Sequence, residues 1–150
     1  MAWLFTINVG PATWSRLGEL ATQIYAQGFH REQTNTTNIP HYVLETRRRI
    51  FAASYRLEKS ISTFLGRPPL LCLRHSNCRL PLDTSDESIC SERRDFDHAR
   101  TMLDDDGWNV HGEVNRSGWI RLWFILSTYR EEILDCALAQ NNSENGWKLM

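Results

Sequence analysis

Residues 45–81 read ETRRRIFAASYRLEKSISTFLGRPPLLCLRHSNCRLP, and the fold follows from how this stretch is parsed. Ile50, Ser54, Leu57, Ile61 and Phe64 or Leu65 recur at steps of three and four, with Phe51 and Tyr55 widening the stripe. That spacing describes one face of an α-helix. Arg47, Arg48, Arg56, Glu58 and Lys59 are expected on its other sides. Pro40 stands upstream, and Gly66 falls where a left-handed helix stop is expected. Pro68 and Pro69 bar resumption, because proline has no amide donor and holds the residue before it extended. The reading is a long amphipathic helix that halts in Gly-Arg-Pro-Pro, then an extended segment closing at Leu80-Pro81-Leu82.

On either side of this stretch the pattern stays helical. Leu17, Leu20 and Ile24, with Ala21 and Tyr25, share a face of an earlier helix. It is expected to start at Trp14, capped by Thr13 or Ser15, and to end at Gly28. Residues 3–9 fit a short helix or a strand, and Gly10-Pro11 breaks that element. Residues 30–39 (HREQTNTTNI) are polar and read as a surface connection. Residues 84–107 are dense in charge and read as an acidic loop region with a poorly determined helix, ending in the turn Asp104-Asp105-Asp106-Gly107. Residues 113–139 form the most apolar element, with Ser117 as a cap. Trp119, Leu122, Trp123, Leu126, Tyr129, Ile133 and Ala137 define its stripe, broadened by Phe124, Ile125, Leu134 and Leu138. Residues 141–150 read as a frayed tail in which Trp147 is isolated. No alternating Val/Ile/Thr-rich run suggests a sheet. The fold class is all-α: an irregular multi-helix bundle, one domain over residues 1–150, forming part of a larger helical regulatory domain.

At 150 residues with 41% apolar content, six tryptophans and six phenylalanines, one packed core is feasible; a chain of this length buries about 70% of its unfolded surface. A formal net charge of −1 provides no general attraction to DNA or to anionic membranes. The N-terminal residues lack a basic leader, and the apolar run 119–126 is broken by Arg121 and far short of the roughly 20 residues a bilayer requires. An intracellular, soluble protein with reduced thiols is expected.

The ordered set Glu45-x-Arg47-Arg48-Arg49-Ile50-Phe51, Tyr55-x-Leu57-Glu58, Leu65-Gly66-Arg67-Pro68-Pro69 and Leu80-Pro81 resembles the regulatory middle homology domain of fungal binuclear zinc-cluster transcription factors. Upstream, Trp14-Ser15-Arg16-Leu17-Gly18 and Gly28-Phe29-His30-Arg31-Glu32 resemble the family's preceding helix and its exit. The resemblance covers residues 10–83. Ala52 and Ala53 stand where the family tends to place an aromatic pair, and Glu58 where an aspartate is common. The resemblance implies transcriptional control in the nucleus through protein partners of the transcription machinery or a homodimer. It also implies a small-molecule effector in some members, and zinc and DNA handled by a separate N-terminal cluster.

The residues themselves carry no such cluster. Cys72, Cys78 and Cys90 are separated by five and eleven residues, whereas thiolate zinc sites draw paired ligands from a Cys-x-x-Cys turn. No cofactor is expected. Arg47, Arg48 and Arg49 point about 100° apart on a helix, so at most two share a surface. Glu45 can pair with Arg49 at i,i+4, and structural pairing outweighs phosphate contact. Arg67 is expected to cap carbonyls left open at the helix stop. No catalytic residues are expected. The structural motif residues are Arg47, Arg48, Arg49, Gly66, Arg67, Pro68 and Pro69. Two alternatives stay open: a small helical metal-binding protein or hydrolase using His98 with Asp95 and Asp97, and a truncated domain without independent function. The aromatics Trp119, Trp123 and Phe124 fit either a ligand pocket or core. Gly66→Val is expected to cost about 1 kcal/mol or more through a positive backbone angle, and Arg48→Ala much less for an exposed arginine.

Overall fold

The computed structural model describes residues 10–146, with side chains to residue 139. Residues 3–9 and Trp147 therefore lie outside the described residues. The elements are α1 (Pro11–Ala26), α2 (His41–Leu65), a 3-10 turn (Leu73–His75), α3 (Asp86–Cys90), α4 (Arg93–Thr101) and α5 (Arg116–Gly146). No strand occurs among the described residues; one isolated antiparallel bridge joins Leu103 and Asn109. The architecture is all-α.

α1 begins at Pro11 rather than Trp14, with Gly10 as the flanking residue. Proline fits the first helical position, where its missing amide would have no intrahelical acceptor. So Gly10-Pro11 starts this helix as well as interrupting what precedes it. Both α1 and α2 end through a left-handed glycine. Gly28 (φ 65) and Gly66 (φ 61) turn the chain so that the next amide reaches back. Phe29 N–H donates to Ile24 C=O at 3.0 Å and Arg67 N–H to Ser62 C=O at 3.1 Å, with Gly28 N–H to Tyr25 C=O at 3.1 Å and Gly66 N–H to Thr63 C=O at 3.3 Å inside them. These paired bonds satisfy carbonyls the helix leaves open. At α1 the reversal also brings Phe29 against the core.

The core gathers Ala21 and Ile24 of α1, Phe51, Ala52 and Tyr55 of α2, Leu71 from the extended segment and Phe124 of α5. α2 and α5 form the most extensive helix pair. They run in the same direction: Phe51 and Tyr55 meet Phe124, with ring centroids at 6.1 and 4.7 Å, while further along Ser60 accepts from Arg130 at 2.8 Å.

The buried faces differ from the oiliest stripes. On α2 the buried residues are Glu45, Phe51, Ala52, Ser54, Tyr55, Glu58, Lys59 and Ser62, whereas Ile50, Leu57 and Phe64 are exposed. On α5 the inward residues are Ser117, Arg121, Phe124, Ser127, Glu131 and Leu134, and Trp119, Leu122, Leu126, Tyr129 and Ile133 face outward. Glu58 and Lys59, expected in solvent, are buried because each supplies the other's counter-charge.

Two short helices occupy the charged region expected as a loop with one poorly determined helix. α3 is capped by Ser85, whose hydroxyl accepts from Ser88 N–H at 3.1 Å. α4 places Phe96 inward, stacked on His41 at 4.2 Å, while His41 Nε2 bonds Ile89 C=O at 2.9 Å. At the other end, α5 continues to Gly146, so residues 141–146 of the expected frayed tail are helical.

Candidate functional site

Beyond the Gly66 stop, residues 68–72 run without a ladder partner, so their backbone groups need side-chain partners. Those come from three helices. Leu70 N–H donates to Glu58 Oε1 at 3.0 Å. Leu71 C=O accepts from Lys59 Nζ. Cys72 N–H donates to the Tyr25 hydroxyl at 3.1 Å, and Leu73 N–H to Glu131 Oε1 at 3.2 Å. Leu71 itself is buried in the core. The Pro68-Pro69 pair thus delivers a short extended segment into a socket of charged and phenolic groups.

The socket is a buried charge cluster. Lys59 Nζ lies 2.6 Å from Glu58 Oε2 and 3.4 Å from Glu131 Oε2, and 4.4 Å from the centre of the Tyr55 ring. Tyr55 donates its hydroxyl to Glu131 Oε2, and Ser62 donates to Glu58 Oε1. Burial, then the Glu131 carboxylate, push the Tyr55 phenol far above its usual range. Burial would push Glu131 up as well, but the Tyr55 hydroxyl, Lys59, Cys72 and Leu73 N–H together hold it below its usual range. The cluster thus joins the Tyr55 phenol, the Glu58 and Glu131 carboxyls and the Lys59 amine in one buried site. Desolvating such a set offsets much of its Coulomb attraction, so its main effect is to fix one arrangement of α2, α5 and the segment between them.

Each arginine of the 47–49 triplet holds a different piece of chain. Arg47 Nη2 donates to Gly28 C=O at 2.9 Å and to Gln27 C=O at 3.2 Å, and its guanidinium lies 4.6 Å over Phe29. It thus covers the C-terminal end of α1. Arg48 forks onto Glu32 and reaches Glu45 at 3.3 Å. Arg49 pairs with Asp86, donates to Thr84 C=O at 3.2 Å, and approaches Glu45 at 3.8 Å. All three are partly buried, and every guanidinium is engaged by protein groups, which leaves none presented as a phosphate contact. Burial holds the Glu45 carboxyl above its usual value despite Arg48, the Leu82 amide and Arg49. Burial, reinforced by Glu32, pushes the Cys78 thiol up to about 12.

Arg67 differs from expectation. Its backbone N–H, not its side chain, closes the helix stop, and its guanidinium stacks 5.1 Å over Trp14, joining the stop to the first turn of α1. Arg121, which breaks the apolar run in the sequence, is buried. It donates to Pro81 C=O and to Asp106 C=O at 2.6 Å and lies 4.3 Å over Trp108. The acidic run 104–106 is thereby a closed turn tied to α5. It is stabilised by Asp104 N–H to Trp108 C=O at 2.9 Å and by Gly107 at φ 85.

The proposed His98 cluster does not assemble. His98 and Asp95 are exposed on α4, and Asp97 pairs with Arg93 at 3.2 Å. Cys72 and Cys78 are partly buried on the extended segment, and Cys90 and Cys136 are exposed. Among the described residues, no three His, Cys, Asp or Glu side chains converge as metal ligands. The residues present do not fit a zinc cluster. Trp119, Trp123 and Phe124 do not share a pocket: Phe124 is core, Trp123 lies between Arg56 at 4.9 Å and Arg130 at 6.0 Å, and Trp119 is exposed. An open cleft of about 1030 Å³ lies elsewhere, lined among others by Leu44, Leu80, Phe96, Arg79, Arg100 and Asp105. Sequence reasoning missed Lys59, Glu131 and Arg121. The visible signal was a charged residue inside an apolar helix run, present for Arg121 and Glu131 and absent for Lys59.

The described residues form an all-α module held by buried charge, with the arginines of the 47–49 triplet turned onto its own chain. The chain matches the model of the fungal specific transcription factor domain over residues 11–136, and it belongs to that family. It is similar to the pyrrolocin cluster transcription factor fsdR of Fungal sp. (strain NRRL 50135), 31% identical over 90 residues, covering 60% of this chain and 11% of that protein. The chain thus spans about a tenth of that relative's length. No solved structure matches it. No helix among the described residues is long and apolar enough to cross a membrane.

Proposed function

We propose that this chain is a non-enzymatic scaffold of a fungal transcription regulator, working in the nucleus through protein contacts, with no cofactor of its own. DNA is read by a zinc cluster outside these residues. The scaffold consists of Arg47, Arg48 and Arg49, which gather α1, the 30–32 turn and the 84–86 segment onto α2, and of the stop formed by Gly66, Arg67, Pro68 and Pro69. The cleft beside α4 has room for a small-molecule effector. The observation that carries the reading is the family match across residues 11–136, joined to the inward engagement of every arginine in the triplet. Fusion of the full chain to an unrelated DNA-binding domain provides the test. Transcription from a reporter carrying that domain's sites should change severalfold relative to the domain alone. An unchanged reporter, with the fusion folded and bound, would remove the regulatory reading.

A further inference from the structure

On the seam between α2 and α5, the ring of Trp123 carries two cations. The guanidinium carbon of Arg56 lies 4.9 Å from the ring centre and that of Arg130 6.0 Å. Arg130 Nη1 also donates to the Ser60 hydroxyl at 2.8 Å, and that hydroxyl donates to Arg56 C=O at 2.9 Å. Arg56 and Ser60 stand one turn apart on α2, and Trp123 and Arg130 two turns apart on α5, so each pair shares a helix face. Arg56 is exposed and the other three are half-buried. No carboxylate answers this charge. Glu58 and Glu131 turn inward onto Lys59, and Asp135 faces Arg74 at 3.7 Å. Glu132 follows Arg130 by two positions, which puts it on another side of α5. Among the described residues neither Arg56 nor Arg130 is in an ion pair.

We propose that this spot binds a phosphate oxyanion, free or as a phosphomonoester, held by Arg56 and Arg130 with Ser60 as third donor once its hydroxyl turns from the Arg56 carbonyl. Stacking supplies the orientation. A guanidinium lying on an aromatic face keeps its N–H donors in the plane of its fork, clear of the ring. Two like charges held over one indole repel each other, and an anion set between them replaces that repulsion with two charge-assisted contacts. The number of donors selects the anion. A carboxylate has two oxygens, which a single fork satisfies, whereas a phosphate offers three acceptor oxygens and can take both forks and a hydroxyl at once. Bound there, it would tie α2 to α5 on the outside of the seam, as the Lys59 cluster ties them within. None of the four residues lines the cleft beside α4, so this site is separate from the one assigned to an effector.

Titration of the full chain with sodium phosphate, at ionic strength held constant with sodium chloride, tests this. The side-chain Nε–H resonances of Arg56 and Arg130 should shift together and saturate, with a dissociation constant on the order of 1 mM. R56Q and R130Q should each weaken binding by about tenfold or more, the loss of one charge-assisted contact. Both should keep the parent's far-UV circular dichroism, since neither arginine is buried. R16Q, which changes an exposed arginine on α1, should leave binding as it is. A phosphoserine peptide and its unphosphorylated form distinguish the sources. Affinity equal to that of inorganic phosphate would assign the site to free phosphate or small esters, and affinity at least about tenfold tighter, lost without the phosphoryl group, to a phosphorylated side chain; both results support the site. A response that never saturates, that acetate reproduces at the same ionic strength, or that survives both R56Q and R130Q would overturn the proposal and leave the two arginines as packing on Trp123.

Discussion

Lys59→Met removes the cation at the centre of the buried cluster while keeping most of the side chain's length. It strips Glu58 of its 2.6 Å partner and Glu131 of its 3.4 Å one, and leaves Leu71 C=O without its donor. Breaking a buried ion pair from one side costs about 3–5 kcal/mol, and an orphaned buried carbonyl about 1–3 kcal/mol. Glu58 retains Ser62 and the Leu70 amide, and Glu131 retains Tyr55 and the Leu73 amide, so the loss should fall near the lower end of the combined range, about 4 kcal/mol. With stability of about 5–15 kcal/mol for an ordinary domain, that is a large fraction, and at about 2–4 °C per kcal/mol the midpoint should drop by about 10 °C. Urea unfolding followed by far-UV circular dichroism measures it. Adding Glu131→Gln should recover part of the loss, since one uncompensated carboxylate is then removed; the double-mutant cycle isolates that coupling. A cost below about 1 kcal/mol, the size of an ordinary surface change, would refute the reasoning, because it would mean that Lys59 is solvated.

Three further outcomes follow from particular contacts. Gly66→Val should cost about 1–2 kcal/mol, from backbone strain alone, since φ is 61 and a Cβ there meets nothing within 4 Å; chemical denaturation gives the value, and a neutral substitution would remove the left-handed stop. Arg48→Ala, expected from sequence to be mild, should instead cost about 1.5–3 kcal/mol, because its side chain is only 16% exposed and hydrogen-bonds both Glu32 and Glu45. A change within about 0.5 kcal/mol would place that arginine in solvent. For Glu131 the sign is set by its depressed carboxyl: the stability it contributes is complete above its ordinary value of 4.5 and is lost as pH falls through its folded value. The stability gap between the parent and Glu131→Gln, measured by denaturation at several pH values, should therefore narrow on acidification below about pH 4.5; a gap that widens there would reverse the assignment. Glu45, raised by burial, acts in the opposite sense, contributing stability below 4.5 that fades as pH rises through its folded value.

The positions of α1, α2 and α5 were legible because their signals are local. Three-and-four spacing, glycine stops at 28 and 66, and the Pro68-Pro69 block act within a few residues. The face of α1 was legible, since Leu17, Ala21 and Ile24 are buried as the spacing expects, but those of α2 and α5 were legible only in part. Counting oily residues selects Ile50, Leu57 and Phe64 on α2 and Trp119 to Ile133 on α5, the very side chains that are exposed. The inward side uses Tyr55, Ala52 and a lysine neutralised by two glutamates, and such neutralisation depends on residues up to 76 positions apart, such as Tyr55 and Glu131. Only one poorly determined helix was expected where α3 and α4 stand, because they are short and charged; each is anchored by one apolar residue, Ile89 or Phe96, and that is too little to show a period. Arg67 was assigned a capping role that its backbone performs, a distinction no side-chain pattern carries.

The central claim is that buried side chains from α1, α2 and α5 hold the backbone of residues 70–73 as firmly as a sheet would. Native-state amide hydrogen exchange at Leu70, Cys72 and Leu73 tests it most directly, since these amides donate to Glu58, Tyr25 and Glu131 and belong to no ladder. Protection comparable to that of the Phe51–Tyr55 amides of α2 is the expected result. Exchange as fast as in the exposed 34–37 connection would contradict the account.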